Sequence, residues 1–89
     1  MKEYYIAVFK SKNYAMQIFY TLENHGYYFF NLISTPAQIS GGCGYSIKFN
    51  RLSDIEYFRI VAGDLNSILQ GVYSVERING KRYYENITI

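Results

Sequence analysis

Ten consecutive residues, Thr35-Pro36-Ala37-Gln38-Ile39-Ser40-Gly41-Gly42-Cys43-Gly44, hold the only Pro, the only Cys and three of the seven Gly of this 89-residue chain. A thiol flanked by Gly42 and Gly44 has no neighbouring side chains, so a large partner could reach the sulfur without steric hindrance, and the glycines permit unusual backbone dihedrals. The chemistry open to such a group is nucleophilic, because the thiolate form of a cysteine attacks electrophiles and accepts transferred atoms. The competing interpretation is that the Gly pair only bends a loop while a small, inert Cys opens a strand, since free cysteines are commonly buried. Position favours the first: Cys43 follows two glycines at a strand start instead of sitting on an apolar stripe.

Other candidate groups are weaker. One Cys and one His exclude an intramolecular disulfide, a cysteine-rich zinc site and a cluster-binding site, so neither a metal nor a resident cofactor is expected. His25 falls near the end of a helical stretch, where an imidazole meets the negative end of the dipole, at the opposite end of the domain from Cys43. Asp54 and Glu56 read as capping residues, and Asp64 has no carboxylate partner at useful spacing. No P-loop or dinucleotide fingerprint occurs. Asn86-Ile87-Thr88 matches a glycosylation triplet, but nothing at the N-terminus reads as a secretion signal.

The elements that must position Cys43 follow from periodicity. Tyr4 to Phe9 alternates as a strand, with Ile6 and Val8 on one face and Tyr5, Ala7 and Phe9 on the other; the Ile6/Val8 face is expected to meet the helices. Ser11 or Asn13 offers an N-cap, and Ala15, Ile18, Phe19 and Leu22 share one helical face, predicting a helix from about Asn13 to His25 closed by Gly26. Tyr28 to Ser34 reads as a second strand and Tyr45 to Phe49 as a third. Ser53-Asp54-Ile55-Glu56 has the form of a capping box. It opens a second helix with Ile55, Phe58, Ala62 and Leu65 on one face, weakened at Gly63 and closed by Gly71. Val72 to Ile78 is a fourth strand, Asn79-Gly80 a type I′ hairpin signal, and Lys81 to Ile87 a fifth strand.

This order, β-α-β-β-α-β with one added hairpin strand, predicts an α+β fold of the ferredoxin-like split βαβ type. One domain spans 1–89, with residues 76–89 as a hairpin extension. Two helices cover one face of a mixed sheet of strand order 5-4-1-3-2, and the other face is expected to be open. The topology puts the loop carrying Cys43 at the same end as Lys10, Ser11, Lys12 and Asn13. There the start of the first helix and two lysines would favour a thiolate. The competing assignment for Lys10 and Lys12 is plain solvated surface.

Composition narrows the partners. Nine Lys and Arg against seven Asp and Glu give a net charge of +2, too little for binding nucleic acid by electrostatics alone. Eleven Tyr and six Phe are many for a domain this small, which buries roughly 60–68% of its unfolded surface. Tyr5, Phe9 and Tyr73 on an open sheet face would resemble an RNA-stacking platform, but the basic-glycine-aromatic run of such domains is missing. Self-association through the open face or the extra hairpin accounts for the aromatics better, so a homo-oligomer is expected. Tyr83 and Tyr84, adjacent on the last strand, must point to opposite faces. No stretch is long and apolar enough to span a bilayer, and a lone thiol suits a reducing, cytoplasmic setting.

Tyr4-Tyr5-Ile6-Ala7-Val8-Phe9-Lys10-Ser11, the helix that follows, Thr35-Pro36, Ile39-Ser40, Cys43-Gly44 and Gly71-Val72-Tyr73 together resemble the selenium/sulfur carrier protein-like family of small bacterial proteins. The resemblance covers about Tyr4 to Val75. Its most specific part is a Thr-Pro-x-x-Ile-Ser-x-x-Cys-Gly loop, matched from Thr35 through Gly44. This chain has Ala37, Gln38, Gly41 and Gly42 where the family often carries charged residues and serines. The resemblance implies a carrier more than an enzyme. Cys43 would accept a persulfide or selenosulfide from a sulfur- or selenium-donating enzyme and hand it to a downstream acceptor protein. Gly42 and Gly44 would give access, and Lys10 and Lys12 would stabilise charge. The alternative from another class is a non-catalytic interaction or ligand-sensing module in which Cys43 is incidental.

Overall fold

The computed structural model describes residues 2–39 and 44–87. Its elements are β1 (Lys2–Phe9), α1 (Lys12–Asn24), β2 (Asn31–Ser34), β3 (Tyr45–Phe49), α2 (Ile55–Ala62), β4 (Leu69–Ile78) and β5 (Lys81–Ile87), with single 3-10 turns at Leu52–Asp54 and Leu65–Ser67. The strands form one five-stranded sheet ordered β2-β3-β1-β4-β5, which read from the other edge is the expected 5-4-1-3-2. Every neighbouring pair is antiparallel, so the expectation of a mixed sheet is corrected. β1 and β2 run the same way, but β3 lies between them and opposes both.

Both helices pack on one face. Ala15, Ile18 and Leu22 of α1 and Ile55 and Phe58 of α2 share a buried cluster with Ala7, Phe9, Ile47, Phe49 and Val72 of the sheet. Phe19 packs half-buried against the same cluster. Rings fill much of the space: Phe30 lies 4.9 Å and Phe49 5.4 Å from Phe58 between centroids, and Tyr5 stacks on Phe49 at 5.6 Å. These separations suit tilted and edge-on aromatic pairs, and they account for much of the aromatic excess.

The strand β1 faces the other way from expectation. Tyr5, Ala7 and Phe9 meet the helices, while Ile6 and Val8 belong to a second buried cluster on the far face with Val75 and Ile39. Both faces of this strand are apolar, so a period of two cannot say which one the helices take. Ala7 and Ala15, both fully buried, leave room for α1 against the strand. The RNA-platform comparison loses its premise, because Tyr5 and Phe9 lie beneath the helices. The far face is not simply open either. Ile39, 2% exposed, covers its centre, with Tyr4, Ile33, Tyr73 and Tyr84 packed around it. Burial there raises the Tyr84 hydroxyl above the usual tyrosine range, with the neighbouring Tyr4 acting in the same direction and Arg82 opposing.

Local boundaries shift for identifiable reasons. α1 begins at Lys12, where the Ser11 hydroxyl accepts the Tyr14 amide at 3.3 Å. At its other end His25 Nδ1 lies 2.8 Å from the Thr21 carbonyl oxygen, the helix-end role expected of it. β2 is only Asn31–Ser34, and Phe30 turns into the helix-side core instead of extending the strand. The capping box at Ser53 does not form. A 3-10 turn places Ser53 before the helix start at Ile55, no side chain caps that start, and Glu56 pairs with Arg59 instead. α2 ends at Ala62 because Gly63 takes φ +71°, a left-handed conformation that stops a helix. Leu65 still reaches the core from the following 3-10 turn. Gly71 lies within β4 and does not close the helix. Asn79 and Gly80 both have positive φ, 51° and 82°, as a type I′ turn requires.

Candidate functional site

The loop between β2 and β3 is held at both of its bases. On the β2 side, Thr35 donates its amide to the Gly44 carbonyl oxygen at 3.1 Å, continuing the β2–β3 ladder one step. The Thr35 and Ser46 hydroxyl oxygens lie 2.6 Å apart, both residues buried, one hydroxyl donating to the other. Pro36 starts a turn in which the Ile39 amide donates to its carbonyl oxygen at 2.9 Å, and this turn lays Ile39 over the far face. On the β3 side, Gly44 is exposed with φ +92°. A Cβ there would meet nothing within 4 Å, so the glycine is required by backbone conformation and not by space.

Cys43, Gly42, Gly41 and Ser40 lie outside the described residues. Their chain neighbours do not. Ile39 lies on the far face, and Gly44 immediately precedes β3. Lys12 Nζ sits 5.3 Å from the centroid of the Tyr45 ring, two residues after Cys43, a distance suited to a cation–π contact. Lys10 is exposed, and its amide donates to the Ile68 carbonyl oxygen at 2.9 Å, which ties the end of β1 to the segment before β4. Lys12 thus lies next to β3, while the expected gathering of Lys10, Ser11, Lys12 and Asn13 about Cys43 falls outside the described residues. Lys10 sits on the same β1–α1 connection, on the side of Ile68. Ser11 is engaged as the cap of α1.

Sequence reasoning missed the two residues that fix the loop's entry. Ser46 looks like the polar, solvent-side member of an alternating strand, yet it is fully buried, because Ile39 and the Thr35–Pro36 segment cover that face. The available signal was the pairing of a Thr and a Ser on either side of a loop closing on Gly44. Thr35→Val is expected to cost about 1–3 kcal/mol, since it leaves the Ser46 hydroxyl buried without a partner. Thr35→Val with Ser46→Ala should recover most of that loss. Urea unfolding midpoints check both, and equal midpoints for the single and double variants would contradict the pairing.

Other ionisable groups form small, separate pairs: Arg51 with Asp54 at 3.7 Å, Lys2 with Glu85 at 3.4 Å, and Arg59 with Glu56. Asp54 is buried, but its partner is one exposed arginine three residues away. Among the described residues no three His, Cys, Asp or Glu side chains converge as a metal site would need, and no helix is long and apolar enough to cross a membrane.

The molecule is a two-layer α+β domain whose single cysteine falls between β2 and β3, in a connection with its two ends joined by the Thr35–Gly44 and Thr35–Ser46 hydrogen bonds. The sequence profile of the family described as "Putative Se/S carrier protein-like" matches residues 4–73, and the chain belongs to that family. The match includes Cys43 and ends within β4, so the β4–β5 hairpin turn and all of β5 lie beyond it. No curated protein and no solved structure matches significantly.

Proposed function

We propose that this protein carries sulfur or selenium on Cys43, on a ferredoxin-like scaffold with two helices on one sheet face. Membership of the Se/S carrier-like family across residues 4–73, a span that contains the cysteine, is the observation that carries this reading. The pinned loop bases and the Lys12 ammonium beside Tyr45 support it.

The transfer balances without an external oxidant. The Cys43 thiolate attacks the outer atom of a donor enzyme's cysteine persulfide, R–S–SH. A new bond forms between Cys43 Sγ and that sulfur, the donor's S–S bond breaks, and the donor cysteine leaves as a thiolate. Selenium moves by the same step from R–S–SeH. A thiol on the acceptor protein then repeats the attack and returns Cys43 to the thiolate. The chain supplies an accessible nucleophile and a positive surrounding and remains unconsumed, which makes it a carrier. A cytosolic location suits a thiol that must stay reduced between cycles.

The test is intact mass after incubation with a cysteine desulfurase and cysteine, or with a selenocysteine lyase and selenocysteine. One added sulfur or selenium atom on Cys43, removable by a thiol reductant, is the expected result. No mass gain with either donor would overturn the proposal in favour of an interaction module. Lys10→Ala combined with Lys12→Ala is expected to slow iodoacetamide alkylation of Cys43 severalfold at pH 7, because removing nearby positive charge raises a thiol pKa. The full pH–rate profile should shift to higher pH with its plateau unchanged. An unshifted profile would remove the lysines from the site.

A further inference from the structure

We propose that the protein forms a two-fold dimer by pairing β5 with β5 of a second copy, with Tyr83 on the axis. β5 is one of the two sheet edges, and seven residues long, whereas β2 at the other edge has four. An uncovered edge strand offers its outward N–H and C=O groups to another strand. Ile78 and Lys81 flank the two-residue turn, and the pairs then run Glu76 with Tyr83 and Ser74 with Glu85. In such a hairpin the flanking pair exchanges hydrogen bonds and the bonded pairs alternate. Lys81, Tyr83 and Glu85 therefore bond inward to β4, and Arg82, Tyr84 and Asn86 present their backbone groups outward.

Side-chain chemistry selects the register. A two-fold axis normal to the sheet keeps each residue on its own face, so residues facing across the seam must be an even number of positions apart. With Tyr83 on the axis, Lys81 of each copy faces Glu85 of the other, on the face Tyr83 shares. Arg82 faces Tyr84 on the opposite face through a hydrogen-bonded pair. With Arg82 on the axis two guanidinium groups face each other, and with Glu85 on the axis two carboxylates do. With Tyr84 on the axis no opposite charges meet. Only the Tyr83 register pairs opposite charges twice without a like-charged pair, and cross-strand neighbours of this kind interact directly. Tyr83 is 51% exposed, free to stack on its copy. The Glu85 side chain is 71% exposed beside Lys2, which leaves it room for a second cation. The resulting ten-stranded sheet holds β2 and β3, the strands on either side of Cys43 in the chain, toward its two outer ends and away from the seam. This dimer stands independently of sulfur or selenium loading.

Sedimentation equilibrium of the full chain over a rising concentration series tests it, with a weight-average mass climbing from the monomer value toward twice that value expected. Lys81→Glu alone and Glu85→Lys alone each turn two attractions into two repulsions and should weaken association about ten- to thirty-fold. The double charge swap should return to within about threefold of the parent. In a Cys43→Ser background, Tyr83→Cys should form a disulfide-linked dimer when dissolved oxygen and a copper catalyst take up the two electrons, because that pair meets at the axis; Arg82→Cys should not. A monomer at every concentration, a dimer indifferent to both single charge variants, or crosslinking through Arg82→Cys in preference to Tyr83→Cys would each overturn the proposal.

Discussion

Cys43→Ala is expected to take up no sulfur or selenium, and replacing a thiol that is reachable, as the carrier reading requires, should leave stability within about 0.5 kcal/mol of the parent's, the range of a surface substitution. The loss should be complete because the chain has no other thiol. Serine would not substitute either, since its hydroxyl is far weaker as a nucleophile at neutral pH. An unperturbed cysteine, with a pKa of about 8.5, is only a few per cent thiolate at pH 7. Loading should therefore accelerate as pH rises toward the Cys43 pKa and then level off. That plateau should come earlier than for a free thiol if the first turn of α1 and Lys12 act on Cys43. Intact mass after donor treatment reads the loading, and urea unfolding reads the stability. A Cys43→Ala protein that still gains mass would place the acceptor elsewhere. A parent Cys43 that alkylates only after denaturation would make it a packing residue and return the function to an interaction module.

Much of the architecture was legible because it rests on local signals that tertiary contacts reinforce. The helical stripe Ala15, Ile18, Leu22 is buried as read, Ser11 is the cap, and Asn79-Gly80 makes the turn that adds β5 beside β4. The failures share one cause. Which face of β1 the helices take, whether Ser46 sees water, and where β2 begins all depend on what covers a surface, which periodicity does not encode. Tyr5, Ala7 and Phe9 are as apolar as Ile6 and Val8, so only the pairing of sheet and helices distinguishes them. Phe30 belongs to a continuous apolar run but turns into the core against Phe58. At the candidate site, topology accounts for Lys12 lying beside β3 and backbone conformation for Gly44, whereas their relation to Cys43 falls outside the described residues. The closure of Thr35 on Ser46 and the placement of Ile39 were not legible, because they depend on a loop folding back over the sheet.

Ile39→Ala is expected to destabilise the protein by about 2–5 kcal/mol, the range for removing a buried aliphatic side chain down to its Cβ. Ile39 is 2% exposed, and among the described residues of the β2–β3 loop it is the one in the buried cluster with Ile6, Val8 and Val75. Its removal opens a void over the centre of the far sheet face, next to the turn that begins at Pro36. The cost should fall toward the lower end if the turn that begins at Pro36 shifts inward, and toward the upper end if the Thr35–Ser46 hydroxyl pair holds the turn in place. Combining Ile39→Ala with Thr35→Val separates these cases. Additive losses mean that the hydroxyl pair and the Ile39 plug act independently, and a smaller combined loss means that each depends on the other. Amide exchange gives a second readout. Protection of the Ile39 and Thr35 amides, bonded to Pro36 and Gly44, should drop more than that of β1 and β4. A variant that loses stability uniformly, with these two amides no more exposed than the sheet centre, would show that Ile39 packs the far face without tethering the loop. Selective loss would identify the far-face cluster as the anchor from which the Cys43 loop is presented, and would predict faster alkylation of Cys43 in Ile39→Ala than in the parent.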